Sequence, residues 1–127
     1  ARINALKGAD VLIYPTAIGW DVKEPESLYE RQKDSWMTVM RGHAIANRLF
    51  VVAANRIGTE GDLTFWGHSF VSAPDGYVIK DLKSDFLGTS ITEIDLSEIE
   101  FNRRWWPHFR DRRTDLYKDI LKTWDTP

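Results

Sequence analysis

The chain has 127 residues, of which 43% are hydrophobic and 13% aromatic, and these values predict one globular domain with a packed core rather than a disordered chain. Its formal net charge of -2 gives no overall reason for binding nucleic acid or an anionic membrane, and its apolar runs are far too short to span a bilayer. The chain contains no cysteine, which excludes disulfides, thiolate metal sites and a cysteine nucleophile within these residues. We therefore expect a soluble protein without nucleic-acid or membrane partners. The lack of cysteine leaves the redox compartment undetermined, and we expect the protein to be cytoplasmic.

The beginning of the chain reads as the end of a helix followed by a buried strand. Residues 1–7 have helical spacing of their apolar side chains, and Gly8 is typical of the residue that caps a helix end. We expect the beginning of this helix to precede the first residue. Four consecutive apolar residues, 11–14, predict a short buried strand that ends at Pro15, because proline cannot donate to a central ladder.

A second buried strand is predicted over residues 50–54, and it ends at the polar pair Asn55 and Arg56. Binding sites of α/β sheets lie outside the carboxyl ends of such strands. Residues 16–26 read as a loop at the end of the first strand, so this loop and Asn55 are expected to border one pocket. Asn55 and Arg56 either belong to that site or only hydrogen-bond the next loop. Trp20, in the loop, either packs as a plug or forms a wall of the pocket.

Between the two strands, residues 28–47 predict a long amphipathic helix. Ser27 and Glu30 have the spacing of a capping box at its start. Small side chains crowd its second half and offer a face that another helix or a sheet can approach closely. These small residues are Gly42, Ala44 and Ala46.

The remaining elements follow from turn signals and apolar spacing. The order predicted is a loop over 59–67, a hairpin of 69–73 and 77–82 around Pro74-Asp75-Gly76, a strand over 89–96, a helix over 97–104 with a Ser97/Glu100 capping box, a break at Pro107 and a short helix over 115–122.

Residues 103–113 contain five arginines among two tryptophans and a phenylalanine. Such a segment taken alone is typical of phosphate binding and base stacking. Arginine also pairs with carboxylates and stacks on rings at domain or subunit contacts, and acidic residues lie close in sequence. We prefer the second interpretation.

The three histidines lack the spacing of metal ligands, and the chain contains neither a glycine-rich phosphate loop nor a serine nucleophile elbow. No metal and no cofactor are therefore predicted. The residues themselves indicate a mixed α/β layer with a possible pocket at the ends of two strands, and no complete catalytic constellation.

Four blocks of sequence, taken together and in order, resemble the C-terminal half of the nitrilase, or carbon-nitrogen hydrolase, superfamily, and look most like its N-carbamoylputrescine amidohydrolase branch. The blocks are ALKGADVLIYPTAIGW, DSWMTVMRGHAIANRLFVVAANRIG, FWGHSFVSAPDGYVI and FRDRRTDLYKDIL. The resemblance implies that this chain is the C-terminal half of a four-layer α-β-β-α sandwich with a mixed sheet. Residues 1–127 then form one partial domain, with 103–127 as its C-terminal tail.

The resemblance also implies an activity, the hydrolysis of a non-peptide carbon-nitrogen bond by a Cys, a Glu and a Lys through a thioester. The expected reaction converts N-carbamoylputrescine to putrescine, CO2 and ammonia. None of the three catalytic residues lies in this chain, so we expect a fragment that is inactive alone. What remains matches the wall of the site on the substrate side. The residues of that wall are Tyr14, Thr16, Ala17, Trp20, Trp36 and Asn55.

Three interpretations stay open at this point. The chain is part of an amidohydrolase for a small ureido or amide substrate, with a related ureido-acid or aliphatic amidase as a variant. In the second interpretation the chain is a truncated, non-catalytic interaction protein. In the third it is an independent binding domain. In the first two cases the resemblance implies a homo-oligomer through helices 1–7 and 28–47, in which the small residues around Ala44 face the partner.

Overall fold

The structure is a computed structural model that describes residues 1–123. Its α-helices are α1 (Arg2–Leu6), α2 (Tyr29–Asn47) and α3 (Ser97–Trp105). Its strands are β1 (Val11–Thr16), β2 (Gly19–Asp21), β3 (Phe50–Asn55), β4 (Ile57–Glu60), β5 (Leu63–Trp66), β6 (Phe70–Ser72) and β7 (Val78–Asp81). Two 3-10 helices cover Glu26–Leu28 and Thr114–Leu121. The end of the expected tail, residues 124–127, lies outside the described residues.

The strands form two sheets. The larger sheet has the order β1-β3-β6-β7, with β1 and β3 parallel and the other neighbours antiparallel. The smaller sheet, β2-β5-β4, is antiparallel. The predicted mixed α/β architecture is therefore confirmed, and so is the hairpin around Pro74-Asp75-Gly76 that joins β6 to β7.

Alternate residues of β3 face opposite sides of the larger sheet, as the period of a strand requires. Val51 packs in a cluster with side chains of α1, β1 and α2, whereas Phe50 packs with Ala73 and with Ile99 of α3. Helices α1 and α2 thus cover one face of the sheet, and α3 covers the beginning of the other. Farther along that second face, Ala54 is exposed, so only the first part of β3 is buried on both sides as expected.

Ala44 does not face outward from α2. It is completely buried, with 0% exposure, and it packs with Ala5, Leu12 and Val51 inside the chain. The expectation that this residue meets a partner helix is wrong, because the small side chain serves the close approach of α2 to its own sheet. A charge at this position would test the stability of the fold and not an interface.

Strand β1 continues through Pro15 and ends at Thr16, so the predicted end at the proline is wrong. The strand pairs with β3 alone within residues 1–123 and lies at an edge of the larger sheet. An edge strand tolerates proline because one side of the strand has no ladder to which a missing N–H would donate.

Two segments expected as loops contain strands. Residues 16–26 include β2, and residues 59–67 include the end of β4 and all of β5. A two-residue turn joins β4 to β5, and its first residue, Gly61, has a φ of 57°. A type II′ hairpin turn needs a positive φ at this position, which is why glycine is favoured there.

The strand expected over residues 89–96 is absent from the described chain. The alternation that predicted it has a different origin, because Ile94 packs against the Phe50 cluster while Ile91 is 92% exposed. Two half-buried side chains two residues apart, Thr92 and Ile94, do not make a strand when no neighbouring strand within residues 1–123 supplies backbone hydrogen bonds.

The two expected capping boxes are not formed. Helix α2 follows directly on the 3-10 turn Glu26–Leu28, and no side chain caps its first residues. At the start of α3, the Asp95 carboxylate accepts the Ser97 N–H at 2.9 Å, so the acidic residue two positions earlier takes the role that we assigned to Ser97. The predicted glycine after α1 is confirmed, because Gly8 has a φ of 98°. No helix within residues 1–123 combines the length and the apolarity needed to cross a bilayer.

Candidate functional site at the carboxyl ends of β1 and β3

The carboxyl ends of β1 and β3 lie side by side. The strands are parallel, and Thr16 is in register with Asn55. The Thr16 hydroxyl donates a hydrogen bond of 2.9 Å to Asn55 Oδ1. The prediction that these two strand ends meet at one edge of the sheet is therefore confirmed, whereas the binding of a substrate there stays a prediction.

The Asn55 side chain fastens the loop after β1 to the segment after β5. Its Oδ1 accepts the Ile18 N–H at 2.9 Å, and its Nδ2 donates to Ile18 O and to Gly67 O at 3.0 Å each. The residue is only 9% exposed. The amide thus uses both donors and its oxygen within the chain. Asn55 shapes the edge of the site by holding these two segments together.

A second link reaches the backbone of Asn55 from Ser69, just before β6. The Asn55 N–H donates to Ser69 Oγ at 2.9 Å, and Ser69 Oγ in turn donates to Asn55 O at 3.1 Å. Because one hydroxyl both donates and accepts, the end of β3 stays tied to the neighbouring strand. Both links use short polar side chains at the same strand end.

Trp20 is half-buried in β2 and packs on its neighbours. Its ring stacks on Tyr29 with centroids 4.8 Å apart and lies tilted against Trp66 at 5.4 Å. The indole N–H donates to Tyr29 O at 3.0 Å. The plug interpretation therefore describes most of the contacts of this side chain. Strand β2 approaches β5 so closely that a Cβ on Gly19 would lie 2.1 Å from Thr64 O, so a residue with a side chain does not fit at this position.

Trp36, on α2, belongs to the same aromatic cluster. Its ring lies 5.9 Å from that of Trp66 and meets Phe70 edge-on at 5.6 Å. Trp36 is 8% exposed and Trp66 is 3% exposed, so both form core rather than open surface. Both indole N–H groups are buried and have no acceptor among residues 1–123.

Tyr14 packs away from this aromatic cluster. Its ring stacks on His43 with centroids 5.8 Å apart, and burial raises the pKa of its hydroxyl. Ala17 is exposed in the short link between β1 and β2. Of the six expected site residues, Tyr14 thus packs in one cluster and Trp20 with Trp36 in another, Thr16 and Asn55 join the two strand ends, and Ala17 is exposed.

Trp66 and Gly67 contribute to this edge, although their sequence predicted only a loop over 59–67. A hairpin signal was available, since Gly61-Asp62 separates two runs that contain β-branched and aromatic residues. Recognising that hairpin would have placed Trp66 on a strand paired with β4, opposite Ile57. Residues 1–123 include no group of three His, Asp or Glu side chains arranged to hold a metal ion.

The lowered pKa values of His43 and His108 predict that the folded chain loses stability in mild acid. Burial lowers the pKa of His43, and burial together with the Arg48 and Arg2 cations lowers that of His108. The unfolded chain then takes up protons near the ordinary value of about 6.5, whereas the folded chain resists them. Stability is therefore complete above that value and decreases as the pH falls below it.

The measurement is urea unfolding at pH 7.5 and at pH 5.5. We expect wild type to lose stability between the two, the variants His43→Gln and His108→Gln each to lose less, and the double variant to lose least. Equal losses in all four proteins would contradict the assignment.

Comparisons with known proteins agree with one another. The profile of the family described as carbon-nitrogen hydrolase matches residues 1–104. N-carbamoylputrescine amidase of Oryza sativa subsp. japonica is 42% identical over 129 aligned residues, which cover 95% of this chain and 42% of that protein. Citrullinase of Francisella tularensis is 42% identical over 128 residues, which cover 96% of this chain and 43% of that protein.

A solved structure shows the same relationship in three dimensions. The carbon-nitrogen hydrolase from Helicobacter pylori G27 superimposes with a TM-score of 0.89 at 42% identity, over 98% of this chain and 45% of that one. The chain thus spans less than half of the length of these relatives, and its architecture is part of an α-β-β-α sandwich. With a family match over most of its length and this structural agreement, the chain belongs to the carbon-nitrogen hydrolase family.

Proposed function

We propose that this chain supplies part of the substrate-binding wall of an amidohydrolase that removes a terminal carbamoyl group from a linear amine, with N-carbamoylputrescine as the expected substrate. The observation that carries the proposal is the equal similarity, 42% identity in each case, to an N-carbamoylputrescine amidase and to a citrullinase. The substrates that these two names indicate share a ureido group at one end of an alkyl chain and an amine at the other.

The proposed reaction is balanced by one water molecule. A ureide R–NH–CO–NH2 and water give the amine R–NH2, CO2 and NH3. The nucleophile that attacks the carbonyl carbon, a cysteine by the resemblance, must come from outside these residues, because the chain contains none. The contribution of this chain is therefore to bind and orient the substrate.

The aromatic cluster around Trp66 supports the loop that Asn55 holds, because Ile18 of that loop packs against it. Trp20, Trp36 and Phe70 pack around that ring, and the indole N–H groups of Trp36 and Trp66 are buried without an acceptor within residues 1–123. Thr16, Ala17 and the loop around Ile18, which the Asn55 side chain holds, border the same edge of the sheet.

A substrate panel tests the proposal on a protein that contains these residues together with the cysteine-bearing half. Ammonia release is measured from N-carbamoylputrescine, from citrulline and from a simple aliphatic amide. We expect the first to have the highest kcat/KM. A preference for citrulline or for the simple amide would favour the ureido-acid or aliphatic amidase alternative, and no hydrolysis of any of them would favour a non-catalytic interaction protein.

We further propose that two copies associate through α1 and α2. Apolar side chains remain exposed on both helices, among them Ile3 at 70% and Val39 at 53%. Val39 replaces Ala44 as the position to test, because it points out of the fold. A glutamate at Val39 would bury an unpaired charge in the contact and should weaken association by about tenfold or more.

The test is light scattering at micromolar concentration. Val39→Glu should shift the mass toward the monomer, whereas Leu87→Glu, which changes an 88% exposed apolar residue away from both helices, should not. A wild-type monomer, or a Val39→Glu variant with unchanged mass, would remove this interface from the proposal.

A further inference from the structure

The strap, residues 106–110, follows α3 and lies against the residue that ends α2. The backbone hydrogen bonds of the strap run to Asn102 of α3, between its own residues, and to Asp111 just beyond it. None within residues 1–123 joins the strap to the sheet, to α1 or to α2. Side chains therefore hold the strap on the rest of the fold.

Arg48 is the fixed partner of the strap. It follows α2 directly with left-handed backbone angles, φ 47° and ψ 59°, and it is only 6% exposed. Its Nη1 donates to Pro74 O at 3.2 Å, which ties the guanidinium to the hairpin between β6 and β7. Its Nη2 donates to His108 Nε2 at 3.2 Å, and the guanidinium lies 5.6 Å from the Trp106 ring. Within residues 1–123, the bond to His108 is the one hydrogen bond between the strap and the chain before α3.

This hydrogen bond requires a neutral histidine. A guanidinium has only donors, so Nε2 of His108 must accept with its lone pair, and the ring proton must be on Nδ1. A proton taken from solvent onto Nε2 removes that lone pair. The contact with Arg48 then becomes a contact between two cations that have donors and no acceptor.

The charges around the strap also disfavour a proton on His108. Burial lowers the pKa of His108, and so do the cations of Arg48 and Arg2, whereas Asp111 acts in the opposite direction. The charged groups that surround the strap are Arg2 of α1, Asp10, Arg48, Asp75, Arg103 of α3, Arg110 and Asp111. Asp10 lies 3.8 Å from Arg103, Asp111 pairs with Arg110, and the charge of Asp75 acts on Arg48.

The other contacts of the strap are concentrated at Phe109. This half-buried ring packs on the core beside α1 and lies between the guanidinium groups of Arg2 and Arg103, at 5.1 and 5.3 Å. Trp106, in contrast, is 61% exposed. A cavity of about 160 Å³ separates the strap from Arg48 and Arg103. Such a void removes van der Waals contacts, so Phe109 anchors the strap while its first residues depend on Arg48.

We propose that His108 is a pH-sensitive latch: protonation of its Nε2 breaks the hydrogen bond to Arg48 and releases Trp106 and His108 from the end of α2, while the core of the fold stays intact. With the strap open, the imidazole is in solvent and has the ordinary pKa of about 6.5. Because the pKa is lower with the strap closed, the closed form is fully favoured above that value and the open form gains as the pH falls below it. Each unit of pKa difference changes the open-to-closed ratio by about tenfold.

The test is NMR on the 15N-labelled intact protein between pH 8 and pH 5. The Cε1–H signal of His108 follows its protonation, and 15N relaxation measures the mobility of the strap backbone, which a change of charge alone does not raise. We expect the order parameters of the Trp106 and His108 amides to fall from about 0.85, typical of a rigid backbone, toward about 0.6. The fall should have the midpoint of the His108 titration. Val51 and Ala53 of β3 should stay rigid throughout.

Two variants at the same position separate the charge from the side chain. His108→Gln supplies an amide oxygen that accepts from Arg48 at every pH, so Trp106 should stay rigid down to pH 5. His108→Lys carries its charge at pH 8 already, so Trp106 should be mobile there. His43→Gln is the matched control. His43 also has a lowered pKa, but it stacks on Tyr14, and its loss should leave the transition of the strap unchanged.

Four results would each overturn the latch. The strap stays rigid while His108 titrates, its mobility still rises in His108→Gln, His43→Gln abolishes the transition, or Val51 and Ala53 become mobile at the same midpoint, which would indicate unfolding of the whole chain. The wild-type titration decides by itself if a variant fails to fold. The latch is independent of the carbamoyl-hydrolysing function proposed above, because it uses none of the residues of that wall.

Discussion

The isolated 127-residue chain is expected to release ammonia from N-carbamoylputrescine no faster than buffer does. Covalent hydrolysis of the kind that the family resemblance implies needs an activated nucleophile, and the chain contains no cysteine. Removing the nucleophile of a hydrolase lowers kcat on the order of 10⁶-fold, so no measurable activity should remain. The measurement is a coupled ammonia assay on rigorously purified protein.

The positive control is a protein in which these residues are joined to the cysteine-bearing half, and replacement of that cysteine by alanine should abolish its activity. Turnover that follows the isolated chain through every purification step would contradict the prediction. Such a result would mean that a different nucleophile operates within these residues.

Replacing Asn55 by alanine should destabilise the fold by about 3 kcal/mol. The change removes the partners of Ile18 N, Ile18 O and Gly67 O, which the Asn55 amide now holds at 2.9 to 3.0 Å. Each buried backbone group left without a partner costs about 1–3 kcal/mol, with the lower value where water can enter. Asn55→Asp should be comparably damaging, because a carboxylate cannot donate to the two carbonyl oxygens. Urea unfolding measures both variants.

Thr16→Val is the matched control at the same strand end. It keeps the shape of the side chain and removes only the hydroxyl that donates to Asn55 Oδ1, so a loss of about 1 kcal/mol is expected. If Asn55→Ala were no more destabilising than Thr16→Val, the amide would not hold the two segments together.

The elements of the larger sheet and its helices could be predicted because their signals are local. Four apolar residues before Pro15, an apolar run ending at Asn55 and a long amphipathic segment between them identify β1, β3 and α2. The Asp75-Gly76 turn likewise identifies the hairpin. The parallel pairing of β1 with β3 then followed from the helix that connects them, and it placed Thr16 beside Asn55.

Three of the failed predictions share a different physical cause, since each depended on a partner that is distant in sequence. The edge position of β1 permits Pro15 inside a strand, and the lack of a neighbouring strand leaves residues 89–95 irregular. Ala44 looked like an outward contact, but the sheet beneath α2 occupies that face.

By itself the sequence determined the family, the mixed α/β class and the strand end at which a substrate site is expected, because these depend on apolar spacing, turns and ordered blocks. Tertiary structure alone decided what the polar groups do there. The Asn55 amide holds Ile18 and Gly67 together, whereas the buried indole N–H groups of Trp36 and Trp66 find no acceptor within residues 1–123. A hydrogen bond depends on where the folded backbone brings its partner, and no local pattern of residues encodes that position.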